Sequence, residues 1–195
     1  MRNFELEIDS LLLKLRQGRP AIFPTDTIPA LGICPEYAFK LWEIKQRALN
    51  KPLILMGSKK EQLFELVDSC ALKDALEMAS LHWPGALTMV LPAVGKEIDL
   101  LNPGAMTLGM RVPGNLEARE LLEQIGPLAT TSANISGESP CLTAEQACNT
   151  FPEIPILGPI PWPNPSGLAS TVIRWENKGC WRVLRKGAVI PKNIQ

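Results

Sequence analysis

Histidine is almost missing from this chain: His82 is the only one. A Ser-His-Asp triad would have to use it. His82 shares a helical face with Ala75, Met78 and Ala79, just before Trp83-Pro84-Gly85, and reads as a packed residue without chemistry. The five cysteines, Cys34, Cys70, Cys141, Cys148 and Cys180, are odd in number and scattered, with no Cys-x-x-Cys pair. That spacing argues against a disulfide framework and a structural zinc site, and it assigns most of them to the core as small apolar residues. No apolar run reaches the roughly 20 residues of a membrane span. Lys14, Arg16 and Arg19 interrupt the N-terminal apolar segment where a cleaved leader would continue, so a cytoplasmic protein without a membrane segment is expected. Net charge is lacking too: 20 basic residues balance 20 acidic ones. A protein that coats nucleic acid is disfavoured, although a local basic cleft is not. The two common phosphate loops, Gly-x-x-x-x-Gly-Lys-Ser/Thr and Gly-x-Gly-x-x-Gly, do not occur in their usual places. A bound phosphate group would have to be held by side-chain cations.

What is present is an ordinary globular composition, 46% hydrophobic and 21% charged over 195 residues, which suits one domain spanning 1–195 with a substantial core. Apolar spacing predicts a first helix over Glu5–Arg16, with Ile8, Leu11, Leu12 and Leu15 on one face and Gly18 as its stop. A strand at Ala21–Phe23 follows, then a helix over Glu36–Arg47 and a strand at Leu53–Met56. Ser58-Lys59-Lys60-Glu61 reads as a capping box opening a helix through Val67, and Leu72–His82 as another helix. Strands are predicted at Ala86–Leu91, Thr107–Val112, Pro127–Thr131, Ser170–Trp175 and Trp181–Leu184. Asn115 caps a helix through Ile125, and Thr143-Ala144-Glu145-Gln146 is a second capping box. The proline-rich stretch Pro152–Pro165 reads as loop or edge. Helices and strands interleave throughout, which gives an α/β (α+β) class with a twisted, mixed, mostly open sheet flanked by helices.

Four places invite chemistry. Ala38, Leu41 and Trp42 form the stripe of an amphipathic helix, and Lys45 continues it one turn on, aiming a cation inward at a helix C-terminus. With Arg47 and Lys51 beside it, this junction reads either as an anion site or as an ordinary charged helix end. Thr25-Asp26-Thr27 follows a strand directly, where open α/β sheets place ligand groups, yet from these residues alone a tight turn satisfying its own backbone is the stronger reading. Alternation in Thr107–Val112 puts Arg111 away from the apolar side, into a cleft or into solvent. Ser132 and Asn134, two residues apart, present a hydroxyl and an amide to one side.

In order and spacing, Pro24-Thr25-Asp26-Thr27, Lys45-x-Arg47 with Pro52-Leu53, Trp83-Pro84-Gly85-Ala86-Leu87-Thr88, Arg111-Val112-Pro113, Ser132-Ala133-Asn134-Ile135-Ser136-Gly137 and Gly167-x-x-Ser170-Thr171-Val172 resemble the YrdC/Sua5 family, the L-threonylcarbamoyladenylate synthases. The resemblance runs from about Leu6 to Ala188 and is to the single-domain form. It implies a YrdC-like domain with a concave, positively charged cleft. The implied reaction joins L-threonine, bicarbonate and ATP, with Mg2+, into threonylcarbamoyl-AMP and pyrophosphate. The product would pass to a tRNA threonylcarbamoyl transferase complex for threonylcarbamoyladenosine modification. By motif match, Lys45, Arg47, Ser132 and Asn134 are the implied catalytic residues around the ATP phosphates, joined by Thr88 and Arg185. Thr25, Thr27, Arg111, Thr131 and Ser170 fall to the threonine side. No protein-held metal site is implied.

The chain departs from the pattern in three places. Pro29 and Ala30 stand where the family has Tyr and Gly, Ala48 replaces the proline after the Lys-x-Arg arginine, and Arg174 replaces an aspartate. Two function classes follow: a synthase, or a non-catalytic YrdC-like paralogue whose cleft binds a nucleotide or RNA, double-stranded RNA included. A neutral net charge and few aromatics make any RNA binding weak.

Overall fold

The computed structural model describes residues 5–163, 166–192 and 194. Its strands are β1 (Glu5–Leu6), β2 (Ala21–Phe23), β3 (Ala30–Ile33), β4 (Ile54–Met56), β5 (Leu87–Pro92), β6 (Thr107–Arg111), β7 (Leu128–Ser132), β8 (Ile156–Leu157), β9 (Thr171–Asn177) and β10 (Cys180–Arg185). Between them run α1 (Ile8–Arg16), α2 (Phe39–Ile44), α3 (Lys60–Phe64), α4 (Ser69–His82), α5 (Glu97–Leu101), α6 (Leu116–Ile125) and α7 (Ala144–Thr150). The described strands form one mixed sheet in the order β1-β8-β2-β3-β7-β4-β6-β5-β9-β10. This is the single, open α/β domain read from the sequence. Among the described residues no helix is long and apolar enough to cross a membrane.

Strand register assigns two faces to the sheet, because directly paired residues point the same way. Ile33, Ala129, Leu55, Met110, Met89 and Ile173 fall in one row across β3, β7, β4, β6, β5 and β9. All are buried, and they pack with Leu41 and Trp42 of α2, Ala75 and Ala79 of α4, Leu101 of α5 and Ala147 of α7. On the opposite face one row runs through Gly32, Thr130, Ile54, Gly109 and Val90, and the pair Ala30 and Ser132 lies two residues along from it on β3 and β7. A second core covers only part of this face: Leu11, Leu12 and Leu15 of α1 and Leu121 and Leu122 of α6 meet Phe23, Ala30, Met56 and Leu128. The rest of the face stays open beside that helix pair and becomes a cleft.

Several local expectations shift where long-range pairing overrides local propensity. Glu5 and Leu6 are strand rather than helix, because they pair with Ile156 and Leu157. Those two residues lie inside the proline-rich stretch, yet β8 sits between β1 and β2 and so is not an edge. Pro165, at the far end of that stretch, falls outside the described residues. The helix expected over Glu36–Arg47 is a 3-10 turn at Pro35–Tyr37 followed by α2, which stops at Ile44. The Ser58 capping box does not form: Lys59 is the N-cap, and the Gln62 side chain accepts from the Ser58 backbone N–H at 2.9 Å. Helix α4 starts earlier than Leu72, because the Asp68 carboxylate accepts from Cys70 N at 2.9 Å and caps it. Neither β3 nor α5 was legible; each is short, and β3 follows directly on a proline. The Asn115 cap and the Thr143–Gln146 box are both present. Cys34 and Cys141 are buried in the core and Cys148 packs against it half-buried, while Cys70 and Cys180 are exposed.

Leu121→Ala removes a fully buried side chain from the α1–α6 layer and should lower unfolding free energy by about 2–5 kcal/mol. Urea denaturation checks this; a loss below about 1 kcal/mol would mean that this layer is loosely packed.

Candidate functional site

The open part of the sheet is closed on its sides by loops that local chemistry shapes. After β2, Thr25 and Thr27 are both buried, and their hydroxyls lie 3.0 Å apart. Thr25 Oγ1 donates to Ile28 O at 2.7 Å and accepts from Thr27 N at 3.1 Å. The segment is therefore the self-satisfied turn, and it also borders the cleft.

Arg111, at the end of β6, reaches across to this turn. Its side chain is only 5% exposed, and three of its nitrogens are engaged. Nε donates to Gly85 O at 3.0 Å, Nη1 to Thr27 Oγ1 at 2.8 Å and Nη2 to Asp26 Oδ1 at 2.7 Å. Burial pulls its pKa below the ordinary arginine value, and the Asp26 carboxylate opposes that pull; the group stays charged. Asp26 was not singled out among the site residues, although it stood inside a motif read from the sequence. The carboxylate also accepts from Gly114 N at 2.7 Å. A side chain at Gly114 would crowd it, since a Cβ there lies 3.1 Å from Asp26 Cγ.

Lys45 caps α2 and is 1% exposed. The inward aim read from the helical stripe is correct, but the ammonium does not border the cleft. It donates to the backbone carbonyl of Ser132 and, at 3.1 Å, to Asn134 Oδ1. Its own carbonyl accepts from Ser136 N at 3.1 Å. Lys45 thus ties the end of α2 to the loop after β7. Burial lowers its pKa to about 8, Arg47 adds to the effect, and the Cys141 thiol opposes it. Both acceptors are neutral, so the charge has no carboxylate partner.

Arg47 is half-buried and borders the cleft, its Nε and Nη2 donating to Lys51 O at 3.1 Å and Pro52 O at 3.0 Å. Its pKa is lowered by burial first and then by nearby Arg185. Arg185, at the end of β10, donates to Ser170 O at 2.9 Å from Nη2. Ser170 borders the cleft and is hydrogen-bonded to buried Thr88 at 2.8 Å. Close approach is built in nearby: a Cβ at Gly187 would collide with the Ala169 carbonyl.

Thr25, Thr27, Arg47, Arg111, Thr131, Ser132, Ser170 and Arg185 therefore meet at one cleft, while Lys45, Asn134 and Thr88 stand behind its wall. Unforeseen contributors are Ile54, Met56, Pro52, Thr130 and Ala169. The strand pattern carried a signal for the first two, because the alternation of β4 sends them to the open face. Pro29 and Ala30 border the cleft as well. Arg174 does not; it pairs with Glu176 at 2.9 Å. Three guanidinium groups border the cleft and of these only Arg111 is paired with a carboxylate, which suits the cleft to an anion larger than a single carboxylate.

The lowered pKa of Lys45 has a sign that can be measured. The unfolded chain holds this proton up to about 10.5 and the folded one up to about 8. Between these values the unfolded state binds more protons, so this group makes stability rise with pH. Relative to Lys45→Gln, the wild-type protein should gain stability between pH 8 and 10.5 in urea titrations. A constant difference would show that the ammonium is hydrated.

A family model described as telomere recombination, for Sua5, YciO and YrdC, matches residues 14–187. The threonylcarbamoyl-AMP synthase of Vibrio campbellii is 32% identical over 151 residues, 75% of this chain and 80% of that protein. The structure is similar to P. abyssi Sua5 complexed with L-threonine, with a TM-score of 0.84, 30% identity and 92% of this chain covered. This chain spans 54% of the length of that protein. It is also similar to E. coli YciO, with a TM-score of 0.78, 26% identity and coverage of 95% of this chain and 91% of the other. The chain belongs to the YrdC/Sua5 family, whose relatives at this level of identity include threonylcarbamoyl-AMP synthases.

Proposed function

We propose that this chain makes threonylcarbamoyl-AMP and pyrophosphate from L-threonine, bicarbonate and ATP. The observation that carries the reading is the surplus positive charge of the cleft, with Arg47, Arg111 and Arg185 on its border and the uncompensated ammonium of Lys45 behind Ser132. In the reaction, an oxygen of the threonine carbamate bonds to the α-phosphorus of ATP while the bond to pyrophosphate breaks. No covalent nucleophile is needed. The work left for the protein is alignment and stabilisation of negative charge, which fixed cations supply.

In this reading Arg47 and Arg185 hold the triphosphate, the Lys45 ammonium adds its positive charge from behind Ser132, and Asn134 keeps Lys45 in place. Thr88 and Ser170 anchor Arg185. Arg111, fixed by Asp26 and Thr27, faces the amino-acid end with Thr25 and Thr131, in keeping with the L-threonine bound by P. abyssi Sua5. Among the described residues no three His, Cys, Asp or Glu side chains are placed to hold a metal ion, and Asp26 is already engaged. Magnesium would enter with ATP and be held by phosphate oxygens and water. The product would go to a tRNA threonylcarbamoyl transferase complex.

Purified protein with Mg-ATP should release pyrophosphate only when both L-threonine and bicarbonate are present. Lys45→Ala and Arg47→Ala should each slow turnover by about 10²- to 10³-fold. Release that ignores threonine would sink the synthase reading. ATP binding without release would favour the second reading, a non-catalytic paralogue that binds a nucleotide or RNA.

That second reading draws on Pro29 and Ala30, which border the cleft where the family pattern has Tyr and Gly. Proline fixes φ and removes an amide hydrogen, so this wall is stiffer and differently shaped. Loss of one packing surface is worth about 1–3 kcal/mol of discrimination, and an unmet hydroxyl partner more. Threonine should still be preferred over valine, with weaker preference over serine than in the Pro29→Tyr, Ala30→Gly double variant. Turnover per KM for the three amino acids in both proteins checks this; an unchanged threonine-to-serine ratio would remove these positions from specificity.

A further inference from the structure

Several hydroxyl groups around the cleft have their protons already assigned, because a hydroxyl has one proton and a carbonyl can only accept. Thr25 spends its proton on Ile28 O. In its contact with Thr27, Thr25 must then be the acceptor, so Thr27 donates to it. Thr27 in turn accepts from Arg111. The chain of bonds runs one way, from Arg111 through Thr27 and Thr25 to Ile28 O. Thr25, which also accepts from Thr27 N, has no lone pair left for a ligand. Thr130 spends its proton on Ile54 O at 3.0 Å. Among these groups Thr25, Thr27 and Thr130 are almost completely buried.

Ser132 is the accessible one, being half-buried and on the cleft border. Its direction follows from Asn134. The Asn134 amide nitrogen donates to Ile135 O at 2.9 Å and Glu138 O at 2.7 Å, which fixes Oδ1 on the opposite side. Oδ1 accepts from Lys45 Nζ at 3.1 Å and from Ser132 Oγ at 2.5 Å. A flipped amide would set an N–H against the ammonium and carbonyl oxygens against Oδ1. The Ser132 proton is therefore turned into the protein, and both of its lone pairs are free. Thr131 is the exception on this border, since its hydroxyl makes no hydrogen bond among the described residues.

We infer that Ser132 meets its ligand as a hydrogen-bond acceptor, so that it reads an N–H or O–H of the amino-acid substrate and disfavours a phosphate oxygen. The identity of that substrate rests on the synthase reading; the polarity of the hydroxyl does not. The cleft is then divided by hydrogen-bond direction. Guanidinium N–H groups on one side take the anion, and a serine lone pair on the other takes the donor. An amino acid in its free or carbamoylated form carries both kinds of group, whereas pyrophosphate in its fully ionised, magnesium-bound form carries only acceptors.

Calorimetric titration of the full chain with magnesium pyrophosphate, in which the anion is fully ionised, and, separately, with L-threonine tests this on wild type and Ser132→Ala. Threonine should bind about 10-fold more weakly to the variant, the scale of one lost hydrogen bond. Pyrophosphate should bind within about twofold of wild type, or more tightly. A loss of about 10-fold for pyrophosphate, with or without a threonine effect, overturns the inference, as does a variant unchanged toward both probes. Wild-type protein that binds pyrophosphate but not threonine refutes the synthase reading instead, and the pyrophosphate comparison alone then decides the polarity of Ser132. Binding of neither probe overturns both. Should Ser132→Ala not fold by thermal melting, Ser132→Cys, a poor acceptor of similar size, makes the same distinction.

Discussion

The Lys45 ammonium is out of water and held by two neutral oxygens, the Ser132 carbonyl and Asn134 Oδ1. A buried charge without an opposite one is costly, and its neighbours adjust to lessen the cost. Here the adjustment is a pKa lowered to about 8 and a loop drawn in around the charge. The end of α2, the loop after β7 and the wall holding Ser132 are positioned by this one contact. An anion on the far side of Ser132 would supply part of the missing compensation. In the proposed reading, the features that make the lysine unfavourable in the free protein would make it useful to an anionic ligand.

Arg111 solves a comparable problem differently. It has a carboxylate partner and three directed hydrogen bonds, so it is rigid and its charge is shared. The two buried cations therefore divide the cleft: one has its charge largely answered within the protein, and the other does not. Arg47 and Arg185 complete the basic border from more solvated positions, held by backbone carbonyls. Such fixed donors require little reorganisation when charge develops on a reacting phosphate.

The cleft exists because the second helical layer is incomplete. One face of the sheet is covered by α2, α4, α5 and α7, while α1 and α6 cover only part of the other. Polar residues at Thr130, Ser132 and Arg111 are tolerated on the uncovered part because each has a hydrogen-bond partner. The same alternation that builds the core thus also builds the site.

Periodicity alone located most of the helices and strands and placed Arg111 off the apolar side and Lys45 on the inward stripe, because these depend on repeats of two and 3.6 residues. Motif order indicated the family and brought forward the residues that meet at the cleft. What the local pattern could not convey was pairing between distant segments. Glu5–Leu6 and Ile156–Leu157 are strands only because they find each other, and β3 has too few residues for alternation to show. Nor could spacing reveal that Asp26 holds Arg111 or that Lys45 stands behind the cleft rather than on it, since both follow from contacts more than 80 residues apart along the chain. The direction of each hydroxyl proton lies furthest from the sequence. It is decided only when the tertiary structure sets which carbonyl or amide oxygen lies within hydrogen-bond reach.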